Sequence, residues 1–325
     1  MQIGKQTRVL LIAAFGLAAI AFPFLTQSGY HINIIINAFF FTVLAMSLNV
    51  IYGYAGLLSF AQVGFWGIGG YVGALTVMKL GGSAWEGMFL AAAISAALAV
   101  VIGAVSLRLS NHAFVIVSIA FTLLLQLLAQ EWIEVTNGPM GIPGLPAPVI
   151  SLGSFSFAFD SPRKHYFLAL TFAAVSLALI WVVLSSRVGQ TLRMLKHDDA
   201  LARAYGVKVT HWKLFAAGFS AAFAASAGAL FVFYVTIVDP LIFDIYYTQL
   251  MLVIVIVGGL GSFWPVVAAG LILTVLPELL RTPNEIRMIN YGIILIVTIA
   301  LFPRGFAGFF LEKTKSAIAA ERRRP

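Results

Sequence analysis

Ten apolar stretches of about 14–24 residues take up most of this chain, and no Asp, Glu, Lys or Arg lies well inside any of them. They run roughly Val9–Leu25, Ile32–Ile51, Val63–Met78, Met88–Leu107, Ala113–Gln130, Phe167–Leu184, Trp212–Val235, Tyr247–Leu260, Trp264–Leu280 and Met288–Phe302. In lipid every backbone amide must find its partner inside the protein, so only helices or closed barrels can span. These runs are too long and too uninterrupted for barrel strands, and helices remain. Composition rules out a soluble alternative. Of the 325 residues 61% are hydrophobic and 10% charged, against roughly 25% charged in soluble domains. The expected fold is an all-α polytopic membrane protein of about ten helices, one transmembrane domain over residues 1–325. With no cysteine, disulfides, thiolate zinc sites and thiol catalysis are excluded.

Ten spans place both termini on one side, and the charges can then be sorted. The side with the termini holds 15 of the 20 basic residues and four of the 12 acidic ones, a net +11; the other side carries −3. The basic side is therefore read as cytoplasmic, giving an N-in/C-in layout with a basic cytoplasmic tail over 304–325. The overall +8 becomes an orientation signal, and no nucleic-acid partner is needed to explain it. The first stretch also has the basic start and small residues of a signal peptide, with Ala19 and Ala21 as a cleavage motif; we expect it to be retained as a span.

Four segments break the pattern. Gly53 and Gly56, followed by Ser59, Gln62, Gly64, Gly67, Gly69, Gly70 and Gly73, put seven glycines into 21 residues, each weakening a helix by about 1 kcal/mol relative to Ala. Two readings stay open: an unwound element beside a translocation path, or tight helix packing through small residues. The outer loop 134–165 carries Asn137, Gly138, Gly141, Pro143, Pro146 and Pro148, which make it irregular but stiff; at about 30 residues it exceeds ordinary connectors and suits either a partner or a lid. The cytoplasmic loop 187–213 encloses a short helix. Asp198 suits its N-cap, Asp199 its first turn, Gly206 its stop, and Leu201, Ala204 and Tyr205 form an apolar side. So short a helix needs a docking partner. The fourth segment, Gly258 to Pro265, reads as a tight inner turn.

Absences narrow the chemistry. No Walker-type phosphate loop, HExxH or GxSxG motif occurs, so the chain is expected to be no enzyme and to hold no cofactor or metal. Proton-coupled carriers need a titratable group inside a span, and the five histidines lie in or beside loops. Buried polarity is limited to amides and hydroxyls: Asn33, Asn37, Thr42, Ser47, Asn49 and Gln62, then Ser118, Thr122 and Gln126 on one helix face. They serve either interhelical hydrogen bonding or a neutral lining for an uncharged or zwitterionic solute. Energy is then expected from another chain, through the cytoplasmic helix. The alternative on the residues alone is a stand-alone secondary carrier or channel.

Three stretches resemble the permease subunits of bacterial branched-chain amino acid ABC importers, of the LivM type: Ser47 to Phe65, Asn137 to Pro143, and Lys196 to Val207 with Lys213, Ser220, Ala224 and Gly228 following. The family turn at Gly258–Pro265 is one residue shorter here and lacks its last glycine. The resemblance implies two related halves, a bacterial inner-membrane location, a sister permease subunit forming a heterodimer, two ATP-binding subunits and an extracytoplasmic solute-binding protein. It implies that Asp198, Asp199, Leu201, Arg203, Tyr205 and Gly206 couple to the ATPase. Asn137, Gly138, Gly141 and Pro143 would receive the binding protein, and Asn37, Asn49, Gly53, Gly56, Ser59 and Gln62 would line the path. Related importers carry urea, amides or aromatic acids, so the solute stays open.

Overall fold

The computed structural model describes residues 19–26, 28–107, 111–152, 155–279 and four positions between 289 and 296. The start of the first stretch, nearly all of the tenth and the 304–325 tail lie outside the described residues.

The helices are α1 (described over 19–25), α2 (Gly29–Leu48), α3 (Ala61–Met78), α4 (Ala84–Ser106), α5 (Asn111–Glu131), α6 (Ile133–Thr136), α7 (Pro162–Ser185), α8 (Arg187–His197), α9 (Asp199–Ala204), α10 (Val209–Val235), α11 (Ile245–Gly258) and α12 (Trp264–Leu279). Their starts follow from local chemistry. Ser83 and Glu86 form a reciprocal capping box on α4, and Ser161 caps α7 with Pro162 in its first turn. Both satisfy amide donors that a helix start leaves orphaned. Among the described residues six helices are long and apolar enough to cross a membrane. α3, diluted by its glycines, and α12 run beside them.

α2 and α10 form the centre. α3 and α4 pack on α10, α7 and α12 flank α2, and α11 lies against α2 and α12. The central pair is mostly buried, whereas α4 and α5 leave most of their surface outward, including Phe89, Val101, Ile116 and Leu124. That is the distribution a lipid-facing shell requires. The α3–α10 contact is so close that a methyl at Gly69 would overlap the Ala225 carbonyl. Within α3 the glycines are therefore a packing device.

The break falls earlier. α2 runs into a π-helical turn, Asn49–Tyr54, the chain leaves helical geometry over 56–59, and α3 starts at Ala61. The non-helical stretch thus falls at the start of the glycine run and the tight packing within α3.

The loops sort to two ends. One end gathers α8, α9, the 55–60 break and the turn between α11 and α12. The opposite end gathers the long α5–α7 connection and the α10–α11 connection. That long connection is more ordered than its composition suggests. Strand β1 (Ile142–Pro143) pairs antiparallel with β4 (Ile237–Val238), with Ile142 opposite Val238. Between them in the chain lies a hairpin of β2 (Val149–Leu152) and β3 (Phe155–Ala158), with Leu152 opposite Phe155, built from the β-branched and aromatic residues that favour strands.

Candidate functional site

The α8–α9 end joins two separate breaks in helical structure. Asn49, fully buried on the π-helical turn, donates from Nδ2 to the Ser262 carbonyl at 2.8 Å. Its Oδ1 accepts from the Gly261 amide at 3.0 Å. One side chain thus ties the end of α2 to the α11–α12 turn. That turn is closed locally by the Ser262 hydroxyl, bonded to the Gly258 and Gly259 carbonyls, and it needs no further glycine. Gly53 lets the two backbones meet, since a methyl there would come within 2.6 Å of the Gly261 nitrogen.

α8 leans on both breaks. Lys196 Nζ donates to the Leu260 carbonyl at 3.3 Å, and desolvation lowers its pKa from the ordinary lysine value. A methyl at Gly56 would lie 3.1 Å from Lys196 Cα, and the φ of +76° at Gly56 also demands glycine. The Arg193 guanidinium sits 5.2 Å from the Tyr54 ring centroid, within cation–π range. On the far side of the break, α5 holds the start of α3: the Ser118 hydroxyl accepts from the Phe60 amide at 3.0 Å, and Thr122 donates to the Phe60 carbonyl at 3.1 Å. Gln62, also fully buried, donates to Ser220 on α10 at 3.0 Å and accepts from Ser47 on α2 at 3.3 Å. Ser59 is buried and accepts from the Ala61 amide.

α9 is built as its sequence suggests. The Asp198 carboxylate accepts from the amides of Ala200 and Leu201 at 2.8 and 3.0 Å. Gly206, at φ +78°, ends the helix in the left-handed conformation. Leu201 and Tyr205 point outward, 53% and 75% exposed, while Ala202 is buried. Arg203 is exposed.

Asp199 does not face out with them. It forms an ion pair with Lys213, which lies inside α10 and is only 7% exposed. Sequence reasoning placed Lys213 in the loop and missed this pair. A single cation one residue into an apolar run was the available signal, but the 14-residue separation matches no helical spacing. The pair anchors α9 to the transmembrane body.

At the opposite end, Asn37 and Asn33 border a polar cavity between α2, α7 and α10. Asn37 is thus separated from the other residues expected along the path. The four residues expected to meet a binding protein divide. Gly138 and Gly141 are buried turn residues with positive φ, and a methyl at Gly141 would meet Asp239 at 2.8 Å. Gly141 fits the loop closely against the α10–α11 connection, whereas Gly138 packs on Gln130 and Ile133. Asn137 and Pro143 stay exposed, as does Met140. At the mouth of the cavity Lys164 donates to Asp160 at 2.6 Å, and this bond holds the Asp160 carboxyl below its ordinary pKa.

The family model for the permease component of branched-chain amino acid transport systems matches residues 30–300. The chain belongs to this family. It is 31% identical over 315 residues to the high-affinity branched-chain amino acid transport system permease protein LivM of Salmonella typhimurium, an alignment covering 91% of this chain and 74% of that protein. Its identity to the protein of the same name from Escherichia coli is 30% over the same coverage. No solved structure matches the chain significantly. Together with the ABC-importer motifs in its sequence, membership makes the chain a multi-pass permease subunit of an ABC importer and not itself an enzyme. Its polar residues then have the tasks of holding, moving and admitting, and no bond-making chemistry is required of them.

Proposed function

We propose that this permease imports branched-chain or similarly apolar amino acids across a bacterial inner membrane, driven by ATP hydrolysed on two separate subunits. In this reading ten helices in two related halves cross the membrane with both termini in the cytoplasm. The α8–α9 end is cytoplasmic, and a sister permease completes the path. A solute-binding protein delivers cargo to the exposed parts of the 134–165 loop, Asn137 and Pro143 among them. Urea, amides and aromatic acids are the alternative cargoes.

One observation carries the coupling: α9 turns two apolar side chains outward while charged and polar contacts fasten its other side. An exposed Leu–Tyr pair on a six-residue helix has no stabilising role within the chain. It suits a groove on an ATP-binding subunit. Motion of α9 would pass through the Asp199–Lys213 pair to α10, and through α8 to Gly56, Tyr54 and the 258–262 turn. Those contacts bear on both breaks at once, and Asn49 makes the breaks move as one. Closure of the ATPases would thereby open or seal the cytoplasmic end.

Leu201→Glu with Tyr205→Glu tests this. Both side chains are exposed, so the fold should be unaffected. The expected result is a normal thermal transition, loss of co-purifying ATP-binding subunits and loss of ATP-driven uptake. Retention of both ATPase association and uptake would sink the assignment.

A further inference from the structure

Toward the end opposite α8 and α9, helices α2, α7 and α10 leave a cavity of about 420 Å³ between them. This lies within the size range of small-molecule sites. Its two walls differ in chemistry. On one side α2 presents Asn33 and Asn37, four residues apart and so on the same face, and α7 presents His165, with Asp160 and Ser161 at its cap. On the other side α10 presents Phe231 and Tyr234.

The polar wall is unfinished. The Nε2 of His165 is buried and has no hydrogen-bond partner among the described residues. Neither carboxamide of Asn33 and Asn37 has a partner among the described residues, whereas Ser47, Asn49, Ser59 and Gln62 are all engaged. For the His165 nitrogen, a buried polar atom left unpaired costs about 1–3 kcal/mol, which a bond to a ligand would offset. At the rim, Lys164 takes Oδ1 of Asp160 at 2.6 Å, which leaves Oδ2 outside that pair. The rim therefore offers one positive and one negative charge side by side, beside the exposed Asn33 and half-buried Asn37 amides and the Phe231 and Tyr234 rings, with the Tyr234 ring centroid 5.8 Å from that of His165.

From this division we infer that the cavity is an outer binding site for a zwitterionic amino acid with an apolar side chain. Asp160 and Lys164 match the paired charges of the zwitterion. The amides and His165 Nε2 bond its polar end. Phe231 and Tyr234 cover its side chain. A cation or an anion alone would leave one rim charge unmatched, and urea would leave the aromatic wall empty. The choice of an apolar amino acid rests on the import reading above, whereas the two-walled site stands on the geometry alone. The site would receive cargo released from the binding protein before the cytoplasmic end opens.

The chain has no cysteine, which permits a direct test. Single Asn37→Cys and Val235→Cys variants are reconstituted in vesicles with the sister permease, the ATP-binding subunits and the binding protein. A charged, membrane-impermeant maleimide is then added from outside, and labelling of this chain is timed. Val235 lines the cavity and is 41% exposed, so its replacement reports even where a change at Asn37 disturbs folding. Saturating L-leucine is expected to slow labelling at least five-fold at both positions, while isoamylamine, 4-methylpentanoate and urea leave it unchanged. Labelling indifferent to leucine overturns the site. Equal protection by urea or by either half-analogue overturns the ligand class. Leucine-dependent ATP hydrolysis in the same vesicles separates the two readings. Hydrolysis without protection removes the cavity site and leaves the import function standing. Failure of the ATP-binding subunits to associate removes the import function, and protection of the full chain in detergent still decides the cavity.

Discussion

The two ends of α2 carry the same kind of residue in opposite states. Asn49, at the end that also holds α8 and α9, is fully buried, and both atoms of its carboxamide are bonded to the α11–α12 turn. Asn33 and Asn37 at the opposite end are exposed and half-buried on a cavity, with nothing bonded to either amide among the described residues. A buried, fully satisfied amide rigidifies and specifies an arrangement. A half-buried, unsatisfied one is available to a ligand. A row of amides on one helix therefore says little about a path until the partners of each are known.

The largest effect should come from Asn49→Leu. It removes two hydrogen bonds and leaves the Gly261 amide and the Ser262 carbonyl without partners, at about 1–3 kcal/mol for each group. The expected outcome is a thermal transition lowered by several degrees in detergent, with ATP hydrolysis no longer coupled to uptake. An unchanged transition would place Asn49 in the same class as Asn37 and dissolve the contrast.

Gln62→Leu should be milder. Both its partners keep a second bond, Ser220 to the Ala217 carbonyl at 3.0 Å and Ser47 to the Leu44 carbonyl at 2.6 Å. Interhelical hydrogen bonds in membranes average about 0.6 kcal/mol. A loss of about 1 kcal/mol is expected, visible as a small drop in Tm with assembly intact. A loss as large as that of Asn49→Leu would mean that α2, α3 and α10 depend on this network as much as on packing.

How much of this could be read beforehand depends on the range of each interaction. The capped α9 was readable because Asp198, Asp199 and Gly206 act on amides within a few residues of themselves. The glycines of the 53–73 run could be seen but not interpreted. Gly53 and Gly69 look alike in the chain; one faces the Gly261 nitrogen across a break, and the other faces Ala225 across a continuous helix pair. The β1–β4 pairing was unreadable, since two-residue strands so far apart leave no periodic trace. The Asp199–Lys213 pair failed for the same reason. The cavity was half readable: the four-residue spacing of Asn33 and Asn37 marked a face, but only the packing of α7 and α10 places His165, Phe231 and Tyr234 around it.

Asn37→Leu gives the sharpest contrast with Asn49→Leu, because the substitution is the same and the helix is the same. No hydrogen bond is lost within the described structure, so stability should stay within about 0.5 kcal/mol. The effect should fall on transport instead, as a raised half-saturation concentration for leucine with binding-protein affinity unchanged. A large fall in Tm with transport intact would make Asn37 a structural residue like Asn49.

The smallest effect on stability is expected at the rim, from Lys164→Met. The Lys164–Asp160 pair is an exposed i,i+4 contact, and such pairs contribute little to stability because water and salt screen them. Its pH dependence has a definite sign. Lys164 lowers the Asp160 pKa in the folded chain, so the pair's contribution is fully present above the unfolded carboxylate value near 3.8 and is lost as pH falls through the lower folded value. Between pH 7 and 5 the Tm difference between wild type and Lys164→Met should therefore be small and constant, and 0.5 M salt should remove it. The Asn49→Leu difference, which involves no charge, should not respond to salt at all. Equal salt sensitivity at the two ends would mean that water reaches the Asn49 contact, and the division of α2 into a held end and an open end would fail.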